Sequence, residues 1–227
     1  MNFSHTHTLL LLVVVSLVLV ACGTDNTPPE GGPDRSSTTQ IAGTLPPDVD
    51  PEVVPGDDFV VATVGDLSGL LDDGDPSAEP GFARFSSALA ADGSFSIDLA
   101  DPDPSVLVTE EDFCGTGETL VFGATGALFI SASADLASAD DIRDVLRLGS
   151  APGDDTNYNI IWFYSDRNVD YEGDCGTAGV TRVELQLTQG WNTLALSVAN
   201  PLSGQPGVLV ANASVPDSAR WYAVIGD

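Results

Sequence analysis

The chain has 227 residues and a formal net charge of −27, with 34 Asp and Glu against seven basic residues, all of them Arg. A surface this acidic, with no Lys at all, excludes the basic face that nucleic acid or anionic lipid headgroups require. Hydrophobic residues make up 43% and charged residues 18% of the chain, so it folds rather than staying disordered.

Leu9 to Ala21 is an unbroken apolar run apart from Ser16, too short for a membrane-crossing helix and of the right length for the apolar core of a secretory leader. It ends in Leu19-Val20-Ala21-Cys22. This resembles the lipobox of bacterial lipoproteins. The resemblance implies a signal peptide over residues 1–21, cleavage after Ala21 and a thioether-linked diacylglycerol on Cys22. One departure from the usual leader is an n-region, Met1 to Thr8, whose only side-chain bases are His5 and His7. Gly23 follows the cysteine, where an Asp would resemble an inner-membrane retention signal. The expected address is the cell envelope, and the outer membrane in a cell with two. Several acyl chains on one cysteine anchor stably, so the membrane is the first expected partner.

Residues 22–39 read as a flexible tether, rich in Gly, Pro, Ser, Thr and Asp and without an aliphatic residue to bury. The body, residues 40–227, reads as mainly β, an antiparallel β-sandwich with one short helix. Gln40 to Leu45, Phe59 to Val64 and Arg84 to Leu89 are strand-like; Ala91-Asp92-Gly93 is a turn, and Ser94 to Leu99 alternates with period two. Ile41-Ala-Gly-Thr-Leu45 and Ala91-Asp-Gly-Ser-Phe-Ser-Ile97 resemble the opening strand and the "dGsF.i" strand of carboxypeptidase-regulatory and transthyretin-like modules. Over residues 40–99 that resemblance implies a non-catalytic β-sandwich unit. Asp101-Pro-Asp-Pro104 breaks the chain and leaves one domain or two open.

Leu120 to Ala134 reads as one long strand or two short ones. Ser138 to Leu148 reads as the helix: Ser138 with Asp141 forms a capping-box-like start, Ile142, Val145 and Leu146 share a face, and Arg143 and Arg147 favour the C-terminal end. Gly149 to Thr156 is a loop. Asn159 to Ser165 is apolar on both faces, which suits a central strand. Val180 to Leu187 alternates, Gln189-Gly190 turns, and Trp191 to Val198 returns, predicting a hairpin. Val208 to Ala213 and Trp221 to Ile225 complete the strands. Ile161 to Arg167 and Leu187 to Asn192 resemble "yADRd" and "GWN" elements of uncharacterised bacterial lipoproteins, a likeness that implies no activity.

With Cys22 lipidated, Cys114 and Cys175 remain, and an exported chain makes a disulfide the default. On the chain-entropy account that bridge contributes about 4 kcal/mol. His5 and His7 leave with the leader, so the mature chain has neither His nor Lys. That removes Ser-His-Asp and Cys-His catalysis, His-based metal sites and Schiff-base chemistry. The acidic loop carrying Asp72, Asp73, Asp75 and Glu79 has the oxygen-rich composition calcium prefers, but it departs from the EF-hand with Ala78 and Arg84 at the glycine and terminal glutamate positions. A solvated acidic turn is the competing reading. Trp162, Tyr164 and Tyr171 are candidates for a sugar-stacking platform, against the reading of aromatic core residues. The expectation is a non-catalytic binding or structural protein without a cofactor, its partner an envelope protein or a glycan. The alternatives are a calcium- or carbohydrate-binding module and a carboxylate-based glycoside hydrolase.

Overall fold

A computed structural model describes residues 37–65, 82–150, 158–173, 180–197, 207–211 and 215–224. The described body is mainly β and antiparallel, its sheets curled into a half-barrel. Its first strands are β1 (Gln40–Thr44), β2 (Phe59–Gly65), β3 (Phe82–Ala88), β4 (Ser94–Asp98) and β5 (Val108–Glu110). β6 (Leu120–Thr125), β7 (Leu128–Ser131), β8 (Ile142–Gly149), β9 (Tyr158–Ser165) and β10 (Val169–Gly173) come next. The last are β11 (Val180–Leu187), β12 (Gly190–Ser197), β13 (Gly207–Ala211) and β14 (Arg220–Ala223). β1 and β4 form a two-stranded ribbon; the rest join one 12-stranded sheet whose main path runs β10-β11-β13-β12-β9-β8-β7-β2-β3.

The ribbon forms because Ile41, Phe95 and Ile97 alternate with polar residues and all three are buried. The turn before β4 is made by Gly93, at φ 79, where a side chain is disfavoured. The Asp92 side chain accepts hydrogen bonds from Ser94 N and Oγ, which holds its carboxyl below the ordinary value. The ribbon lies over one face of the large sheet. There it shares a core with Val60 and Val64 of β2, Leu128 and Ile130 of β7, and Ile160 and Trp162 of β9.

β9 is the pivot of the fold. Its even-numbered residues, Tyr158 to Tyr164, enter that core, while Ile161 and Phe163 enter a second one with Leu120, Val183, Leu185, Leu187 and Leu194. Both faces are buried, as the uninterrupted apolar run predicts. One long edge pairs with β12 from Gly190 to Ser197, and the other is shared between β6 and the end of β8.

Two expectations are corrected. Residues 138–148 are not a helix. Ala139–Asp141 makes a single 3-10 turn, and Ile142–Gly149 is a strand. The cap was real: the Asp141 carboxylate accepts from Ser138 N at 3.1 Å and Ser133 Oγ at 3.0 Å. Beyond Asp141, tertiary pairing overrides the helical pattern. β8 is hydrogen-bonded to β7 on one side and β14 on the other. Consecutive residues Leu146, Arg147, Leu148 and Gly149 are all buried, which a one-stripe amphipathic helix cannot provide. A helix this short also has little intrinsic stability.

The second correction concerns the hairpin. The chain does reverse at Thr188-Gln189, but β11 and β12 are not neighbours. β13 lies between them, antiparallel to β12 and parallel to β11. That is a parallel pair inside an otherwise antiparallel arrangement. The expected break at Asp101-Pro104 is a turn: Asp103 caps a 3-10 segment at Pro104–Val106 by accepting from Ser105 N.

Candidate functional site

The polar groups that the structure organises most tightly sit at the end of β9, where the chain passes to β10. Asp166 extends the β9 ladder toward β6: its N–H donates to Val121 O and its Oδ1 accepts from Val121 N, each at 3.0 Å. Arg167 clamps the same carboxylate through Nε to Oδ1 at 3.0 Å and Nη2 to Oδ2 at 2.6 Å. The Arg167 hydrogen bonds hold the Asp166 carboxyl below its ordinary value, and Asp166 in turn raises Arg167. The neighbouring Tyr164 hydroxyl is raised, first by burial and then by the charges of Asp101 and Asp166.

Asn192 holds the adjoining turn. It is fully buried. Its Oδ1 accepts from Thr188 N and Oγ1, and its Nδ2 donates to the carbonyls of Thr188 at 2.8 Å and Gly190 at 2.9 Å. Asn168 Oδ1 accepts from Gln189 N at 2.8 Å. Trp191 is buried and donates Nε1–H to Ala100 O at 2.8 Å, fastening the segment after β4 to β12. Both the Ser-Asp-Arg and Gly-Trp-Asn segments therefore act as joints of the fold. Asn192 and Asn168 carry roles the sequence reading did not assign, although an Asn beside a Gly turn is a recognisable signal.

The aromatic candidates do not form a platform. Trp162 is 3% exposed and Tyr164 9% exposed, both inside the first core. Trp162 is stacked on Trp221 at 5.9 Å and 10°, and Tyr164 meets Trp191 edge-on at 5.5 Å. Burial of these faces is worth more than exposing them, since large aromatics supply much of a sandwich core. Tyr171 lies apart on β10 and packs against the second core. It borders an open cleft of about 340 Å³ with Asp170, Glu172, Glu184, Leu185 and Gln186.

Within that cleft Glu172 and Glu184 are directly opposed across β10 and β11. Arg182 reaches both, at 3.5 Å from Glu172 and 2.5 Å from Glu184. The guanidinium offsets part of the repulsion between these like charges on β10 and β11. Among the described residues no group of three His, Cys, Asp or Glu is placed to hold a metal ion.

Cys22, Cys175 and the calcium candidates Asp72, Asp73, Asp75 and Glu79 lie outside the described residues. Cys114 is disulfide-bonded. It sits in a turn where Asp112, Cys114, Gly115 and Gly117 all have positive φ, and Asp112 Oδ1 accepts from Gly117 N at 2.7 Å. Phe113 anchors this turn by packing against Phe122 and Phe163. No helix among the described residues is long and apolar enough to cross a membrane. No protein-family model, curated protein or solved structure matches the chain.

Proposed function

We propose that the chain is an exported, lipid-anchored protein of the bacterial cell envelope whose β body acts by binding or as a structural component. The observation that carries the reading is Leu19-Val20-Ala21-Cys22 at the end of the apolar run. A Pro-, Gly- and Ser-rich stretch comes next, and its last residues, 38–39, expected as the end of the tether, are instead docked on the body: Thr38 N donates to Trp191 O, Thr38 Oγ1 lies 2.7 Å from Thr193 Oγ1, and Thr39 O accepts from Leu99 N. The bonded state of Cys114 agrees with an oxidising compartment, and we assign Cys175 as its partner. The absence of His and Lys after the leader favours a non-catalytic role. The resemblance of residues 40–99 fits the same reading, since the modules they resemble serve as packing, stalk or binding units.

The test is processing in cells. With globomycin, which blocks lipoprotein signal cleavage, the chain is expected to accumulate at precursor size, and Cys22→Ala to lose membrane partitioning. Unchanged size and unchanged partitioning in both experiments would remove the anchor and the address together.

A further inference from the structure

Thiols and thioethers are the side chains that oxidants attack most readily, and this chain offers few of them. Met1 is its single Met, and its two His are His5 and His7. Cys114 is already disulfide-bonded. In the described body the groups left to give up an electron are indoles and phenols, and the fold gathers four of them into one array. Trp221 is stacked on Trp162, ring centroids 5.9 Å apart and planes 10° from parallel. Trp162 and Tyr164 stand two residues apart on one face of β9, both in the first core. Along a strand that is a separation of about 6.5–7 Å. Tyr164 in turn meets Trp191 edge-on at 5.5 Å. All three Trp of the chain are thus joined through one Tyr.

The members of the array are not equivalent. Trp162 and Trp191 are buried, and the Trp191 N–H is held by Ala100 O. Trp221 is half-buried, which makes it the indole open to a diffusing oxidant. Tyr164 carries the one ionisable hydroxyl among the four rings, and the carboxylates of Asp101 and Asp166 act on it. Negative charge near a partly buried ring draws a positive hole toward it.

We propose that the four rings form a one-electron relay that carries an oxidising equivalent from the indoles to Tyr164. A one-electron oxidant of the carbonate-radical class takes an electron from Trp221 and leaves as its reduced anion. Trp162 refills Trp221, and Tyr164 refills Trp162; each transfer moves one electron between neighbouring rings and breaks no bond. As Tyr164 gives up its electron, its O–H bond breaks and the proton goes to water. A neutral tyrosyl radical remains, with both indoles restored. A hole on Trp191 reaches Tyr164 in one step. A quinol or thiol then returns one electron and one proton, and the phenol is regenerated. The relay protects the core, because an indole left oxidised is altered for good and Trp221 and Trp162 hold the ribbon to the sheet.

The test exposes the purified full chain to carbonate radical generated by a light pulse. Tyrosyl radical is read by electron paramagnetic resonance, and indole loss by peptide mass spectrometry. Tyr164→Phe keeps the ring that packs on Trp191 and removes only the hydroxyl. It is expected to lose most of the tyrosyl signal and to raise oxidation products at Trp162 and Trp221 severalfold. Trp162→Phe interrupts the array while leaving Tyr164 in place, and is expected to lower the Tyr164 signal and concentrate damage on Trp221. A tyrosyl signal and indole loss that Tyr164→Phe leaves unchanged would overturn the proposal. So would a Tyr164 signal undiminished by Trp162→Phe, which would mean direct attack on the phenol.

Discussion

Trp221 of β14 lies parallel to Trp162 of β9, ring centroids 5.9 Å apart, and its indole covers the backbone of Gly43 in β1. One side chain from the end of the chain thus joins the ribbon to the sheet. Phe95 meets the same indole edge-on at 5.1 Å. A Cβ at position 43 has no room beneath Trp221. Gly43→Ala is expected to cost roughly 1–3 kcal/mol in urea unfolding, the range for overpacking a core. Gly43→Ala in a Trp221→Ala background costs less than in the parent, because the clash is gone.

Asn192→Ala removes the hub of the β11–β12 turn. It leaves the Thr188 N–H and the Thr188 and Gly190 carbonyls without their buried partner. Each stranded group costs on the order of 1–3 kcal/mol, so a loss of several kcal/mol is expected, read as a lowered melting temperature. Gln189→Ala, at an exposed position whose backbone alone is held, is expected to stay within about 0.5 kcal/mol of the parent.

Asp166 is expected to contribute to acid sensitivity. Arg167 holds its carboxyl below the ordinary value. The unfolded chain therefore binds that proton more readily than the folded one. The stability this supplies is present above the unfolded carboxylate value of about 3.9 and is lost as pH falls through the lower folded value. Asp166→Asn is expected to flatten part of the acid limb of a stability–pH profile and to weaken the protein near neutrality.

At the alkaline end the sign reverses. Burial raises the Tyr222 phenol, an effect partly offset by Arg147, which lies opposite it across β8 and β14. Its stability is present below the unfolded phenol value of about 10 and is lost as pH rises through the higher folded value. Tyr222 Oη also donates to Asn159 Oδ1 at 2.7 Å. Tyr222→Phe is expected to cost roughly 1–2 kcal/mol at neutral pH and to reduce the loss on the alkaline side.

The proposed Cys114–Cys175 pairing makes its own prediction. Cys114→Ser, Cys175→Ser and the double variant should lose the same stability, about 2–5 kcal/mol, because either change removes the whole bridge. A double loss equal to the sum of two unequal single losses would separate the two cysteines.

Much of this fold was readable from residue order, and what failed did so for identifiable reasons. Phe59 to Val64 and Asn159 to Ser165 announced buried strands through β-branched and aromatic runs, and Asp92-Gly93 announced its turn. Residues 120–134 resolved into β6 and β7, separated by Gly126-Ala127. β5, three residues long, carries too short a pattern to register. β10 had a signal, Val169 and Tyr171 alternating with acids, beside the Asn168 turn. The helix reading failed because capping at Asp141 is local, while the pairing of β8 with β7 and β14 is not. The hairpin reading failed because nothing local to 180–198 tells that residues 207–211 enter between its arms. Trp162 and Tyr164 could be read as core or platform from sequence alone; only their neighbours across the sheet decide it.

Anchor and address both rest on the lipid at Cys22, which intact mass spectrometry of the amino-terminal peptide from membrane-extracted protein reads out. The expected result is a mature chain beginning at Cys22, with a diacylglyceryl thioether on its sulfur. A peptide spanning Ala21 and Cys22, or an unmodified amino terminus at any other residue, would contradict it.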